Sequence, residues 1–265
     1  MNSYYPGKKF PSISITGERC ALRCKHCGGR YLRPMIPAES PGSLLTLCRK
    51  LRAEGAYGFL LSGGFDEYGR LPISDFLHVI PEIRSLGLEI NPHVGLVNDD
   101  MASRLRVFNV ASVEVIGDQN IIERMYGLRA SPLDYIRSAQ KLEENGIRVV
   151  PHICAGLNFG TPSGEGKALR MVKERLKPDI VVITALVPTP GTEVAGIRYG
   201  YDLILEVIGE AVDLFPDSEI ALGCMRPRFE GRDGFEERVV EMGVSRIALP
   251  SKARGERVMK CCAIG

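Results

Sequence analysis

Short runs of β-branched and apolar residues alternate with longer amphipathic stretches along almost the whole chain, and that rhythm constrains the fold more than any other feature. The runs are Ser12–Thr16, Tyr57–Ser62, Glu89–His93, Ser112–Ile116, Arg148–Ile153, Ile180–Ala185, Ile220–Gly223 and Arg246–Leu249. Helical periodicity lies between them, at Ser43–Glu54, Ile73–Leu86, Asp99–Val107, Pro132–Asn145, Gly166–Leu176, Tyr201–Phe215 and Phe235–Met242. Strands that alternate with helices pair in parallel, because each crossover must return the chain to the same end of the sheet. Ser131-Pro132 reads as a capped helix start, and Gly146 and Gly243 sit where helices end. Seven or eight such units in 265 residues, with no Ser/Gly-rich linker, predict a single α/β domain over residues 1–265. The expected architecture is a (β/α) barrel of parallel strands, complete or partly open. Its core spans about 12–250, and a C-terminal tail, about 251–265, folds over the barrel mouth. A parallel sheet of another order gives the same string. On a barrel, chemistry collects in the loops after the C-terminal ends of the strands.

Composition narrows the class. The 34 Lys and Arg residues against 32 Asp and Glu leave a formal charge of +2, which marks neither a nucleic acid nor a membrane as a partner. No apolar run of about 18 residues predicts a membrane span, and Met1–Lys9 lacks the apolar core of an export signal. The expected location is the cytoplasm, where thiols stay reduced. Eight cysteines there point to metal or redox chemistry.

Cys20, Cys24 and Cys27 form C-x3-C-x2-C directly after the first predicted strand. Three thiolates on one loop suit three irons of a [4Fe-4S] cubane, whose fourth iron then lacks a protein ligand and is open to a small molecule. Gly28 and Gly29 let the backbone pass close by. Two other readings stand beside this one. Zinc takes three cysteines with His26 or a distant ligand, although no second paired half is present. Alternatively, the thiols are buried apolar residues.

This loop after a first strand resembles the signature of the radical S-adenosylmethionine (SAM) superfamily. The resemblance implies that SAM binds the open iron through its amino and carboxylate groups. Its reductive cleavage then gives methionine and a 5′-deoxyadenosyl radical that abstracts hydrogen from carbon. His26 stands where the family commonly has an aromatic residue, and packing on adenine is its implied role. The second strand ends in Ser62-Gly63-Gly64-Phe65-Asp66, similar to the family's Gly-Gly-Glu segment that receives the methionine amino group. Phe65 displaces the acid there, leaving Asp66 or Glu67 in its place. Asn91 and His93 flank Pro92, a bend that aims one of them inward. Asp118 ends the fourth strand, positioned to accept from a ribose or to cap a turn. The run Ile153-Cys154-Ala155-Gly156-Leu157-Asn158 is similar to the adenine-packing segment, without its terminal glutamate. Pro188-Thr189-Pro190-Gly191-Thr192 resembles the stiff turn after the sixth strand in biotin synthase and its relatives.

Of the other cysteines, Cys48 reads as a buried apolar residue. Cys154 alternates with His152, so one of them faces the barrel interior while intervening residues face the helices. Cys224 ends the seventh strand, and Cys261-Cys262 lie in the tail. A tail folded back to the mouth brings these three thiols together as ligands of an auxiliary iron–sulfur cluster, with Arg226 and Arg228 offsetting its charge or binding an anionic substrate. A tail with two incidental thiols is the alternative.

The compact chain, the Pro-x-Pro-Gly-Thr turn and the Cys-Cys pair resemble the biotin-synthase-like branch that acts as a two-component lipoyl synthase. The resemblance implies sulfur insertion into an octanoyl chain on a lipoyl carrier protein, with a related radical SAM subunit and an electron donor such as ferredoxin. Two other functions fit the residues. One is a radical rearrangement or C–C cleavage of a small molecule in cofactor assembly, and the other is a non-catalytic iron–sulfur or zinc-binding regulator.

Overall fold

A computed structural model describes residues 1–264, and all of its strand ladders are parallel. In chain order the strands are β1 (Asn2–Tyr4), β2 (Ser12–Ser14), β3 (Ile36–Pro37), β4 (Gly58–Ser62), β5 (Glu89–Pro92), β6 (Val110–Glu114), β7 (Arg148–Ala155), β8 (Ile180–Ala185), β9 (Glu219–Leu222), β10 (Arg246–Ala248) and β11 (Glu256–Val258). The helices are α1 (Pro41–Ala53), α2 (Ile80–Ser85), α3 (Asp99–Arg104), α4 (Gln119–Ile121), α5 (Pro132–Glu144), α6 (Glu165–Arg175), α7 (Tyr201–Leu214) and α8 (Arg232–Glu241). One sheet runs β11-β1-β10-β9-β8-β7-β6 and the other β3-β2-β4-β5. A single parallel bridge, His93 to Ser112, joins them between β5 and β6. No ladder among the described residues closes the outer edges, so the wall is a partly open (β/α) barrel.

The local chemistry explains the elements. Ser131 caps α5 by accepting from the Asp134 N–H, and Asp134 accepts in return from the Ser131 N–H. At Gly58 an added Cβ would fall 2.1 Å from the Glu89 carbonyl, so glycine is what lets β4 lie against β5. Helix faces and the outer sides of the strands share one apolar core that includes Leu44, Phe59, Ile83, Leu142, Leu169 and Ile208. No helix among the described residues is long and apolar enough to cross a membrane.

Inside the barrel, each central strand grades from apolar to polar toward its C-terminal end. The series Val110–Ser112–Glu114, Val150–His152–Cys154 and Ile180–Val182–Thr184 alternate with outward residues, as a pleated strand dictates.

Two expectations need correction. The core does not begin at residue 12 or stop at 250, because β1 lies between β10 and β11 in the larger sheet. The tail does not cover the mouth. Cys262, Ala263 and Ile264 share an apolar cluster with Val110, Val150 and Ile180 near the N-terminal ends of β6, β7 and β8, and with Tyr4 of β1, so the tail closes the barrel from beneath. The apolar foot of each strand offers burial there, and the Arg246 guanidinium holds the Cys262 and Ile264 carbonyls at 3.2 Å.

Candidate functional site

The cysteine loop is fixed at both ends by backbone hydrogen bonds. Ala21 N–H donates to the Phe65 carbonyl after β4 at 2.9 Å, and Lys25 N–H donates to the Met125 carbonyl at 2.9 Å. Between these points Gly28 N–H donates to the Cys24 carbonyl at 2.7 Å, and Gly29 turns at φ +78° into a short 3-10 turn, Arg30–Leu32. Gly64 has no room for a side chain, since a Cβ would meet the Arg19 carbonyl at 1.9 Å and the Cys20 Cα at 2.5 Å. Its N–H donates to Thr16 Oγ1 at 2.6 Å. The Gly63-Gly64 pair thus lets the cysteine loop lie directly on the end of β4.

Cys24 is buried, and Cys20 and Cys27 are half-buried. Cys24 donates toward Cys27, which drives the Cys27 thiol down to about 4 against its burial, with His26 assisting, while Cys24 is pushed up. One thiolate is already favoured in the loop, and thiolate is the form that binds metal. Among the described residues, no three His, Cys, Asp or Glu side chains converge on a position for a single metal ion. Soft sulfur donors on one loop are the usual ligands of an iron–sulfur cluster. Cys20, Cys24 and Cys27 would hold it.

Beneath the loop lies a cavity of about 270 Å³, lined by Leu22, His26, Tyr31, Phe65, Tyr126, Leu157 and Leu186 near the mouth. Deeper residues are His93, Ser112, Glu114, His152, Cys154 and Thr184. His26 Nδ1 is buried without a partner, and its ring lies 5.4 Å from Tyr126 and 6.1 Å from Tyr31. Tyr31 Oη pairs with Thr189 Oγ1 at 2.8 Å, and Arg30 donates to the Gly191 carbonyl at 3.0 Å, so the Pro188–Thr192 turn is fastened to the cysteine loop. Pro188 stiffens that turn beside Val187, which lines the cavity.

The other site expectations divide by position. His93 reaches the cavity, and His152 meets it edge to face at 5.2 Å. Both His152 and Cys154 face inward, where only one of them was expected, because residues two apart share a strand face. Asn91 lies deeper, its Oδ1 accepting from Ser112 Oγ at 2.9 Å and its Nδ2 approaching Cys261 Sγ at 3.7 Å. Ser62 ends β4 outside the cavity lining, its carbonyl accepting from Ile15 N–H. Asp66 is outside as well and accepts from the Tyr68 and Arg70 N–H groups of its own turn. Asp118 caps α4 and accepts from Ser163 Oγ, and Asn158 bonds Thr161 within a turn. The Arg226 charge acts to lower the Cys224 thiol, as expected, but the Arg226 guanidinium is bonded elsewhere. It is buried in an ion pair with Glu236 at 2.9 Å and donates to the Gly223 and Ala248 carbonyls.

Glu114 escaped sequence reasoning, although it lies two residues beyond Ser112 on one strand and so shares its face. Tyr126 Oη donates to its Oε1 at 2.7 Å, and burial nonetheless raises its carboxyl above the usual range. The three remaining predicted ligands approach one another from two directions. Cys224 follows β9 as an exposed residue; desolvation of its thiol and the Cys261 charge raise it, and the Arg226 charge opposes them. Cys262 donates toward Cys261, bringing that thiol down to about 7, and Cys262 itself rises.

No family model matches the sequence. A biotin synthase of Acinetobacter baumannii is 23% identical over 234 residues, covering 83% of this chain and 69% of that protein. A biotin synthase of Nitrosococcus oceani is 26% identical over 203 residues, covering 69% of this chain and 55% of that protein. The fold is shared with methylornithine synthase (PylB), at a TM-score of 0.63 and 20% identity over 95% of this chain and 76% of the other. HydG, a maturase of the [FeFe]-hydrogenase, gives a TM-score of 0.65 at 15% identity over 93% of this chain and 56% of the other. With the cysteine loop in its place after β2, the biotin synthase relatives support the radical SAM superfamily for this chain, and the two solved structures share its parallel α/β fold.

Proposed function

We propose that the chain is a radical SAM enzyme that inserts sulfur into a protein-bound octanoyl chain, with Cys224, Cys261 and Cys262 holding an auxiliary iron–sulfur cluster. One observation carries this reading: the barrel has two separate groups of thiols, one in the loop over the cavity mouth and one in which Cys261 and Cys262 rise from the floor toward Cys224 after β9. Asn91 spans the interval, bonded to the cavity-lining Ser112 on one side and near Cys261 on the other. Bound in the mouth loop, a reduced cluster would supply the electron that cleaves SAM. The chain's own residues hold the loop on Gly64, close the mouth with Tyr31 and the Pro188–Thr192 turn, and line the cavity beneath. Apolar walls at Leu22, Phe65, Leu128 and Leu157 keep water from a carbon-centred radical.

The test is anaerobic reconstitution with iron and sulfide, then incubation with SAM, reductant and an octanoylated carrier. Two clusters per chain and a mass gain on the carrier are expected; a single cubane with no gain overturns sulfur insertion. Cys24→Ala should abolish 5′-deoxyadenosine formation. Cys261→Ala should preserve that product and stop sulfur transfer, whereas equal loss of both would assign Cys261 to folding.

A second reading is favoured by the polar girdle of His93, Ser112, His152 and Thr184 at mid-depth. It suits a small polar molecule undergoing radical rearrangement or C–C cleavage. In that case the thiols on the floor are structural.

A further inference from the structure

We propose that the arginines around the cavity mouth form the docking surface for an acidic face of the carrier protein, which then passes its lysine-borne acyl group into the cavity. This rests on the sulfur-insertion reading. Arg23, Arg30, Arg70, Arg124 and Arg129 each lie within two residues of a cavity-lining residue, namely Leu22, Tyr31, Gly69, Tyr126 or Leu128. All but Arg30 are exposed. Two other rim cations are neutralised, Lys25 by Glu193 at 2.8 Å and Arg33 by Glu18 at 3.7 Å; the exposed rim carboxylates Glu67 and Glu123 are outnumbered by the arginines. Asp66 and Asp134 are taken up by N–H groups of their own turns. Among the described residues no carboxylate lies within ion-pair distance of Arg23, Arg124 or Arg129, so their charge faces outward.

Apolar surface lies inside this ring. Leu22, Phe159 and Ile197 are only partly buried there, and the Arg124 guanidinium sits 5.4 Å over the Phe159 ring. Arg23 and Phe159 are both held at left-handed φ, +46° and +50°, a costly backbone for residues with a Cβ. An apolar centre inside a charged rim is the anatomy of a protein interface, and unpaired charge of one sign selects a partner of the other.

The experiment measures binding of an octanoylated carrier domain to the reconstituted enzyme by fluorescence anisotropy across a salt series. Affinity should fall as salt rises. Arg124→Glu with Arg129→Glu should slow association about tenfold or more. The same double variant should form 5′-deoxyadenosine without carrier at the wild-type rate, and should process a short octanoyl-lysyl peptide as the wild type does. Unchanged affinity and salt slope in the double variant overturn the docking surface. So does a variant that binds carrier normally but is no longer reduced by ferredoxin, since the rim then serves the electron donor. If the wild type neither binds nor modifies the carrier, it is the sulfur-insertion reading that fails.

Discussion

His93 and His152 meet in the interior of the barrel, where burial holds both imidazoles neutral. His93 is driven down to about 3, with the charge of His152 adding to its burial, and His152 to about 4. Unfolded, both return to about 6.5, so between that pH and the folded values the unfolded chain binds more protons. Stability contributed by the neutral pair is therefore present above pH 6.5 and falls as the solution is acidified below it, at up to about 1.4 kcal/mol per pH unit for each ring. Melting temperatures at pH 7.5 and pH 5 should differ markedly in the wild type and much less in His93→Phe with His152→Phe. An equal drop in the variant would assign the acid sensitivity to other groups. Residue by residue, the site was unevenly legible. Cys20, Cys24 and Cys27 were readable because their spacing states their proximity. Asp66, Asp118 and Asn158 were not, because a side chain of that type caps a turn as readily as it binds a ligand, and here each does the former.

Among the elements, α8 and the loop after β9 are joined by a buried charge network. Glu236, with no exposed side-chain surface, accepts from Arg226 at 2.9 Å and Arg232 at 2.8 Å, and from Ser251 at 2.8 Å. Burial works to raise its carboxyl, but hydrogen bonds from Ser251 and the arginines prevail and hold it below 4.5. Its contribution is thus intact above pH 4.5 and lost as the pH falls through the lower folded value. Glu236→Gln should cost about 3–5 kcal/mol in urea unfolding, because it leaves the Arg226 charge buried without its partner. Exchanging both partners for apolar residues should restore much of the loss. The eight principal strands were legible from their β-branched runs. The three-residue β2 and β10 were found because they lie in longer runs, Ser12–Thr16 and Arg246–Leu249, whereas β1, β3 and β11 have no such run around them and only their partners define them.

For the whole molecule, the tail is the element whose placement the sequence misassigned. The positions of Cys261 and Cys262 suggested the mouth, where thiols have chemistry to do. The apolar Ala263-Ile264 that follows was the contrary signal, because a floor of valines and isoleucines offers it burial that a wet mouth does not. Ile264→Ala should therefore destabilise the barrel by about 2–5 kcal/mol, as truncation of a core side chain does, measured by denaturant midpoint. A change under 0.5 kcal/mol, the usual range for surface substitutions, would detach the tail from the core.

The two sheets meet at His93 and Ser112 through one rung, while every neighbouring pair is laced by a ladder. Both residues of that rung also face the chamber. The wall can therefore yield in two places, at this seam and at the outer edges, which no ladder among the described residues joins, and a guest too wide for the resting enclosure is accommodated there without unzipping a strand pair.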